Sequence, residues 1–215
     1  MAYIYMLGAI VTNPIYKNDL MKKSWQKIEG WININHPTMI ETLNLGATNQ
    51  ELFHLETILG NRLPEDFKAF LSIHNGQTWT HLKLFNGDRL LAIEDIINDW
   101  TSWNTVLPDI DTDCKSMFGE AAKSSPQKGI KDDWWNPSWV PITSDGSGDS
   151  FCIDLDPTSE GTIGQIIRMY HDDPERTLVS SSFSEWIYNY IEDLENNVYE
   201  PSDDIGWGGI VKKGY

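Results

Sequence analysis

Cysteine is scarce in this chain. Its two residues in 215, Cys114 and Cys152, stand 38 positions apart with no CxxC or Cys/His cluster beside either. That excludes a disulfide framework and a cysteine-ligated metal, and points to a reducing, cytoplasmic setting. Cys152 falls in an apolar alternation and reads as a buried free thiol. Basic residues are also few, 16 Lys and Arg against 32 Asp and Glu for a net charge of −16, and they form no block. Affinity for nucleic acid rests on clustered cations that release counterions, so DNA and RNA are excluded as partners. The apolar segment AYIYMLGAIV has no basic region before it and no small-x-small cleavage site after it, and Asn13-Pro14 cuts it short of a membrane span. It is read as neither signal peptide nor anchor, and no membrane partner is expected. Catalytic motifs are missing too. Gly146-Ser147-Gly148 has the wrong spacing for a nucleophile elbow, and no P-loop, H-E-x-x-H or G-x-G-x-x-G occurs.

What the chain does have is acidity, tryptophan and clear periodicity. With 40% apolar and 12% aromatic residues it has too much to bury to be disordered as a whole. The charge is uneven: residues 1–144 sum to −5, residues 145–204 to −13 and residues 205–215 to +2. An acidic face in the C-terminal third suits a cationic partner, because complementary charge steers encounter.

The helical periods are legible. Trp25, Ile28, Trp31 and Ile32 form one stripe that His36-Pro37 ends. Thr48 to Glu51 is a capping box before Leu52, Leu55, Ile58 and Leu59, with Gly60 as the stop. Pro64 opens a third helix at N1, with Glu65 and Asp66 in its first turn. Residues 77–92 alternate about Asn86-Gly87 and read as a hairpin. Ile96, Ile97, Trp100, Trp103 and Leu107 return to helical period, and Pro108 is expected to end them. Residues 109–138 read as a long loop, helical at most over Lys115 to Lys123. Strands are expected at Trp139 to Ile142, Ser150 to Leu155, Gly164 to Tyr170 and Thr177 to Val179. A final helix then opens at Ser182, with Glu185 at N3. Helices, then strands, then a helix predict an α+β domain with a mostly antiparallel sheet. The domain spans residues 21–197, between an N-terminal extension at 1–20 and an irregular tail at 198–215.

Asp145, Ser147 and Asp149 imitate the first ligand positions of a calcium loop. However, Ser150 stands where the turn needs Gly, and the bidentate Glu is missing, so a polar hairpin turn is expected. His171-Asp172-Asp173 precedes Pro174 and is turn grammar more than a metal site. His36, His54, His74 and His81 lack ligand spacing. No catalytic residue, metal or cofactor is assigned. Trp25, Trp31, Trp100, Trp103, Trp139 and Trp186 sit on apolar stripes and are assigned to the core. Trp134, Trp135 and Trp207 stand outside regular structure and are taken as partner anchors. With them go Asp145, Asp149, Asp172, Asp173 and Glu175 of the acidic third.

Several of these features share an order with a known family. Trp25 to Trp31, Glu56 to Gly60, Leu63-Pro64-Glu65-Asp66-Phe67 and Ile73-His74-Asn75-Gly76-Gln77 come first. Leu90-Leu91, Trp139-Val140-Pro141-Ile142, Gly148-Asp149, Ile153 to Asp156, Gly164-Gln165 and Ser182-Phe183 follow. In this order the chain resembles the SUKH superfamily, in the branch typified by the yeast cell-wall-assembly regulator and its bacterial relatives (Smi/Knr-like). The resemblance implies an antiparallel sheet flanked by helices, no enzymatic activity, and a protein-binding role. The first role expected is an immunity-type protein that neutralises a basic toxin domain, a nuclease among the candidates. The second is a regulator or scaffold in cell-wall assembly and glucan synthesis. Carbohydrate binding through Trp134 and Trp135 ranks last. A monomer or weak dimer is expected.

Overall fold

The computed structural model describes residues 14–118, 120–206 and 208–214. Helix α1 (Pro14–Asn35) buries Met21, Trp25, Ile28 and Ile32 along one face, and a 3-10 turn (Pro37–Thr42) follows where Pro37 blocks its continuation. Residues 14–20, assigned above to an extension, are the opening turns of α1, and Leu20 packs on the core. Residues 1–13 lie outside the described residues.

Helix α2 (Asn49–Leu59) carries the full capping box. The Thr48 hydroxyl accepts the Glu51 N–H at 3.2 Å, the Glu51 carboxylate accepts the Thr48 N–H at 2.7 Å, and Gly60 closes the helix at φ 66. Helix α3 (Glu65–Leu71) starts one residue later than expected, with Pro64 as its cap.

The chain continues through β1 (Leu82–Lys83), β2 (Arg89–Leu90), α4 (Ile93–Phe118), β3 (Ser125–Pro126), β4 (Trp139–Pro141), β5 (Thr143–Ser144) and β6 (Ser150–Asp154). It ends with β7 (Gln165–Met169), β8 (Glu175–Ser180), α5 (Phe183–Glu195), β9 (Tyr199–Ser202) and β10 (Gly208–Lys212). The main sheet runs β3-β8-β7-β6-β4 and is antiparallel except where β3 joins β8. The α+β expectation therefore matches the architecture.

Period-2 alternation assigns the two sheet faces. Val140, Ile153 and Ile166 face α1, α3 and α5 in the larger core, while Trp139, Cys152, Ile167 and Met169 face Trp100, Trp103 and Leu107 of α4.

Three expectations are corrected. Pro108 does not end α4, which runs on to Phe118. A proline inside a helix costs about 3 kcal/mol, and beyond it Thr112 Oγ1 donates to the Pro108 carbonyl at 2.7 Å while Asp111 accepts the Ala122 N–H at 3.1 Å. The expected loop at 109–138 therefore shortens. The tail is not irregular either, because β9 pairs with β10 and β10 pairs in parallel with β1. That pairing also explains the hairpin. The turn is present, with Asn86 at φ 43 and Gly87 at φ 93, but β1 and β2 pair with β10 and β5 and not with each other.

The segment Ile73 to Gln77 is a structural joint. His74 bridges the Asn44 carbonyl and the Glu29 carboxylate at 2.8 Å each, and Asn75 Oδ1 accepts the Ile93 N–H at 2.9 Å. Gly76 takes φ 69, where a Cβ would stand 2.3 Å from the Ala92 nitrogen. Gln77 is 1% exposed and uses its whole amide. Nε2 donates to Thr42 Oγ1 and to the Leu82 carbonyl at 2.9 Å each, while Oε1 accepts the Leu84 and Leu90 N–H groups at 3.1 and 3.2 Å. Among the described residues no helix is long and apolar enough to cross a membrane.

Candidate functional site

Four acids of the C-terminal third, Asp145, Asp149, Asp172 and Asp173, lie at one end of the main sheet, in the β5–β6 and β7–β8 turns. In the first turn Asp145 Oδ1 accepts the N–H groups of Ser147, Gly148 and Asp149 at 2.8, 3.1 and 3.0 Å. Burial pushes this carboxyl up, but the bonds from Ser147, Asp149 and Gly148 outweigh it and hold it below the ordinary range. The calcium-like spacing is thus a hairpin turn built around its own acid.

Asp149 ties the two turns together, because its Oδ1 accepts both the backbone N–H and Nδ1 of His171, at 2.9 and 2.8 Å. That bond raises the His171 pKa above 6.5, with Asp172 adding to it from 3.7 Å beyond Nε2. Gly148 makes the approach of the turns possible, since a Cβ there would lie 2.9 Å from the His171 side chain. Asp149, His171 and Asp172 offer three ligand atoms within 4.8 Å of one another. Asp149 already accepts two N–H groups and faces Arg168 Nη2 at 3.8 Å, so the arrangement is that of an ion-pair network. Beneath it the Arg168 guanidinium meets buried Asp88, whose carboxyl burial pushes up to about 6 against the pull of Arg168 and Thr143.

A groove of about 720 Å³ lies between α4 and this hairpin, walled by Asp95, Asp99, Trp103 and Val106 on the helix side and by Ser144, Gly146, Ser147, Gly148 and His171 on the other. It continues past the hairpin tip into a second hollow of about 490 Å³ that reaches Ile205, and both share Trp79 and Arg89. Trp79 is 82% exposed and stands over the Arg89 guanidinium at 5.5 Å. Arg89 itself is buried and held by the Gln77 carbonyl at 2.9 Å and by Asp95 at 2.7 Å. Burial, then the neighbouring Asp95, raises the pKa of Asp99.

The site residues named from sequence fall into three places. Asp145, Asp149 and Asp172 meet around His171 at the groove. Asp173, later in the same turn, and Glu175, the first residue of β8, are exposed, and fully buried Arg176 gathers their carbonyls with that of Trp134. Arg176 Nη1 donates to the Asp173 and Glu175 carbonyls at 2.7 Å each, and Nη2 donates to the Trp134 carbonyl at 2.6 Å. The guanidinium lies 5.2 Å from the Trp134 ring, and burial pushes its pKa down to about 10. Trp135 is corrected. It is 2% exposed, stacks on Trp103 at 5.4 Å and donates to Asn104 at 3.3 Å, so its ring belongs to the second core and offers no surface. Trp207 lies outside the described residues.

Trp79, Asp99, Val106 and Ile205 were not singled out from sequence. Alternation did not mark Trp79, because Gln77, two positions before it, is polar yet 1% exposed, and no strand begins before Leu82.

The family model described as SMI1 / KNR4 family (SUKH-1) matches residues 46–189, more than half of the chain. A glucan synthesis regulatory protein of Neurospora crassa is 27% identical, with 84% of this chain and 40% of the relative covered. The cell wall biosynthesis/cell cycle regulator of Schizosaccharomyces pombe is 27% identical over 86% of this chain and 38% of its own length. The cell wall assembly regulator of Saccharomyces cerevisiae is 22% identical over 84% and 42%. The chain spans about two fifths of the length of these curated relatives. The match begins at Gly46, beside the α3 end whose Leu71 carbonyl takes the Ala47 N–H, and it takes in the Gly76–Gln77 joint, both acidic turns and most of α5. On that extent and that architecture, the chain belongs to the SMI1 / KNR4 family (SUKH-1).

Proposed function

We propose that this chain is a non-enzymatic protein-binding module that acts as a regulator or scaffold in cell-wall assembly and glucan synthesis. The observation that carries this reading is the set of relatives matched over more than four fifths of the chain, named as regulators of glucan synthesis and cell-wall assembly. The acidic groove supplies a surface for the binding step. The immunity role expected first would use the same acidic face against a toxin. The names of the relatives favour the regulatory role over it.

A domain exchange tests the reading. This chain replaces the matching region of the Saccharomyces cerevisiae regulator in a strain lacking its own copy, and growth under cell-wall stress is scored together with wall glucan. Partial restoration is expected. A stably expressed chimaera that restores neither would count against the regulatory role.

A further inference from the structure

We propose that the groove between α4 and the β5–β6 hairpin takes an extended, lysine- or arginine-bearing segment of a protein partner, with one apolar side chain seated against Trp79. This rests on the protein-binding reading above and names what the surface binds.

Charge decides the chemistry of the occupant. Five carboxylates stand at or beside the groove: Asp95 and Asp99 from α4 and Asp145 from the hairpin line it or its continuation, and Asp149 and Asp172 flank its wall residue His171. The cations that reach the same region are engaged within the protein. Arg89 pairs with Asp95, Arg168 with Asp88, and Lys83 Nζ donates to the Asp145 carbonyl at 2.6 Å. An incoming lysine or arginine therefore meets a negative rim, while an acidic or phosphorylated segment is repelled.

The apolar side chains give the groove an anchor. Trp79, Val106 and Ile205 are 82%, 43% and 87% exposed, and Trp79 borders both hollows. Scattered exposed apolar residues are ordinary, but three along one acidic channel form a binding strip. Buried Arg89 beneath the Trp79 ring, itself held by the Gln77 carbonyl and Asp95, orients the indole in advance and lowers the ordering cost of binding.

The test titrates the purified full chain against a dye-labelled short peptide that alternates lysine with leucine, and against its glutamate counterpart. The lysine probe is expected to bind with an affinity that falls as salt rises, and the glutamate probe is not. Trp79→Ala should weaken binding about tenfold or more, as loss of an aromatic anchor does. Asp99→Asn with Asp172→Asn should weaken it and flatten its salt dependence. Glu192→Gln with Glu200→Gln, which removes equal charge away from the groove, should leave it unchanged. Should Trp79→Ala fail to fold, Val106→Arg, which places a cation in the channel, serves as the second variant and should likewise weaken binding about tenfold or more.

The proposal is overturned if the lysine probe does not bind, if the distant charge pair weakens binding as much as the groove pair, or if both groove variants bind like the parent. A dimer in sedimentation that Trp79→Ala dissolves would also overturn it, because the occupant would then be a second copy. Failure here is separable from failure of the regulatory role. A chain that supports wall assembly in the domain exchange but ignores the probe sinks the groove alone, and the reverse result sinks the regulatory role alone.

Discussion

The carboxylate of Asp88, 2% exposed, meets the guanidinium of Arg168 across 80 positions of sequence and joins the turn after β1 to the centre of the main sheet. Thr143 Oγ1 donates to the same carboxylate at 2.8 Å. Asp88→Ala leaves Arg168 and Thr143 without their acceptor, and a loss of about 2–4 kcal/mol in urea unfolding at pH 7 is expected.

Linkage gives the same residue a pH signature. Its folded pKa of about 6 lies above the ordinary value, so between about pH 4 and 6 the folded state holds a proton that the unfolded state has released. The contribution of Asp88 to stability is complete at the acid end of that window and declines as pH rises through it. Asp88→Asn cannot titrate. The stability gap between parent and Asp88→Asn should therefore narrow from pH 4 to pH 6, and unfolding curves at intervals across that range measure it. A gap independent of pH would contradict the raised pKa.

Gln77 and Gly76 should be intolerant of change for separate reasons. Gln77→Leu orphans the Leu84 and Leu90 N–H groups and the Leu82 carbonyl in the core, at an expected cost of about 2–5 kcal/mol. Gly76→Ala combines a positive φ with a Cβ 2.3 Å from the Ala92 nitrogen, and about 2–4 kcal/mol is expected. Thermal and urea midpoints read both. Gln77→Glu is a sharper probe, since it keeps the shape and the acceptors but loses the donors to Thr42 and Leu82.

The neighbouring tryptophans should part company in mutagenesis. Trp135→Ala removes a ring packed between Trp103 and Trp139 and should cost about 3–5 kcal/mol, as truncation of a buried aromatic does. Trp134→Ala exposes Arg176 on one side only and should cost about 1–2 kcal/mol. Equal losses at the two sites would mean that Trp134 is also a core residue.

Local signals were the legible part of this sequence. The Thr48–Glu51 box, the Gly60 stop and the Asn86-Gly87 turn each depend on a few adjacent residues, and each forms as the spacing predicts. At Ser182 the match is partial. Its hydroxyl accepts the Glu185 N–H at 3.2 Å, but the Glu185 carboxylate turns back to the Ser181 N–H at 2.9 Å, one residue earlier than a capping box requires. Long-range pairing was not legible. Nothing near β1 announces a parallel partner at Gly208, more than a hundred positions away, and the proline signal at 108 did not stop α4, which runs on to Phe118. The acidic half of the groove was visible as charge in residues 145–204. The half that comes from α4 and Trp79 was not, because only the fold carries those residues to the hairpin.

His171 provides a direct reading of the junction between the acidic turns. The charged groups around it are Asp149 at Nδ1, Asp172 beyond Nε2, Asp145 in the same hairpin, and Arg168, which faces Asp149 from β7. The hydrogen bond to Asp149 dominates and raises the pKa above the 6.5 of a free imidazole. The resulting stabilisation is fully present below pH 6.5 and is lost as pH climbs through the folded value. A titration of the His171 ring signals by NMR should therefore give a midpoint above 6.5, and Asp149→Asn should bring it down. Deprotonation weakens the bridge between the turns, so amide exchange at Gly148 and His171, corrected for its intrinsic pH dependence, should accelerate across the same interval in the parent. In Asp149→Asn the bridge is already weakened, and the acceleration should disappear. A His171 midpoint below 6.5 in the parent, or one indifferent to Asp149→Asn, would show that the carboxylate does not hold the ring in solution.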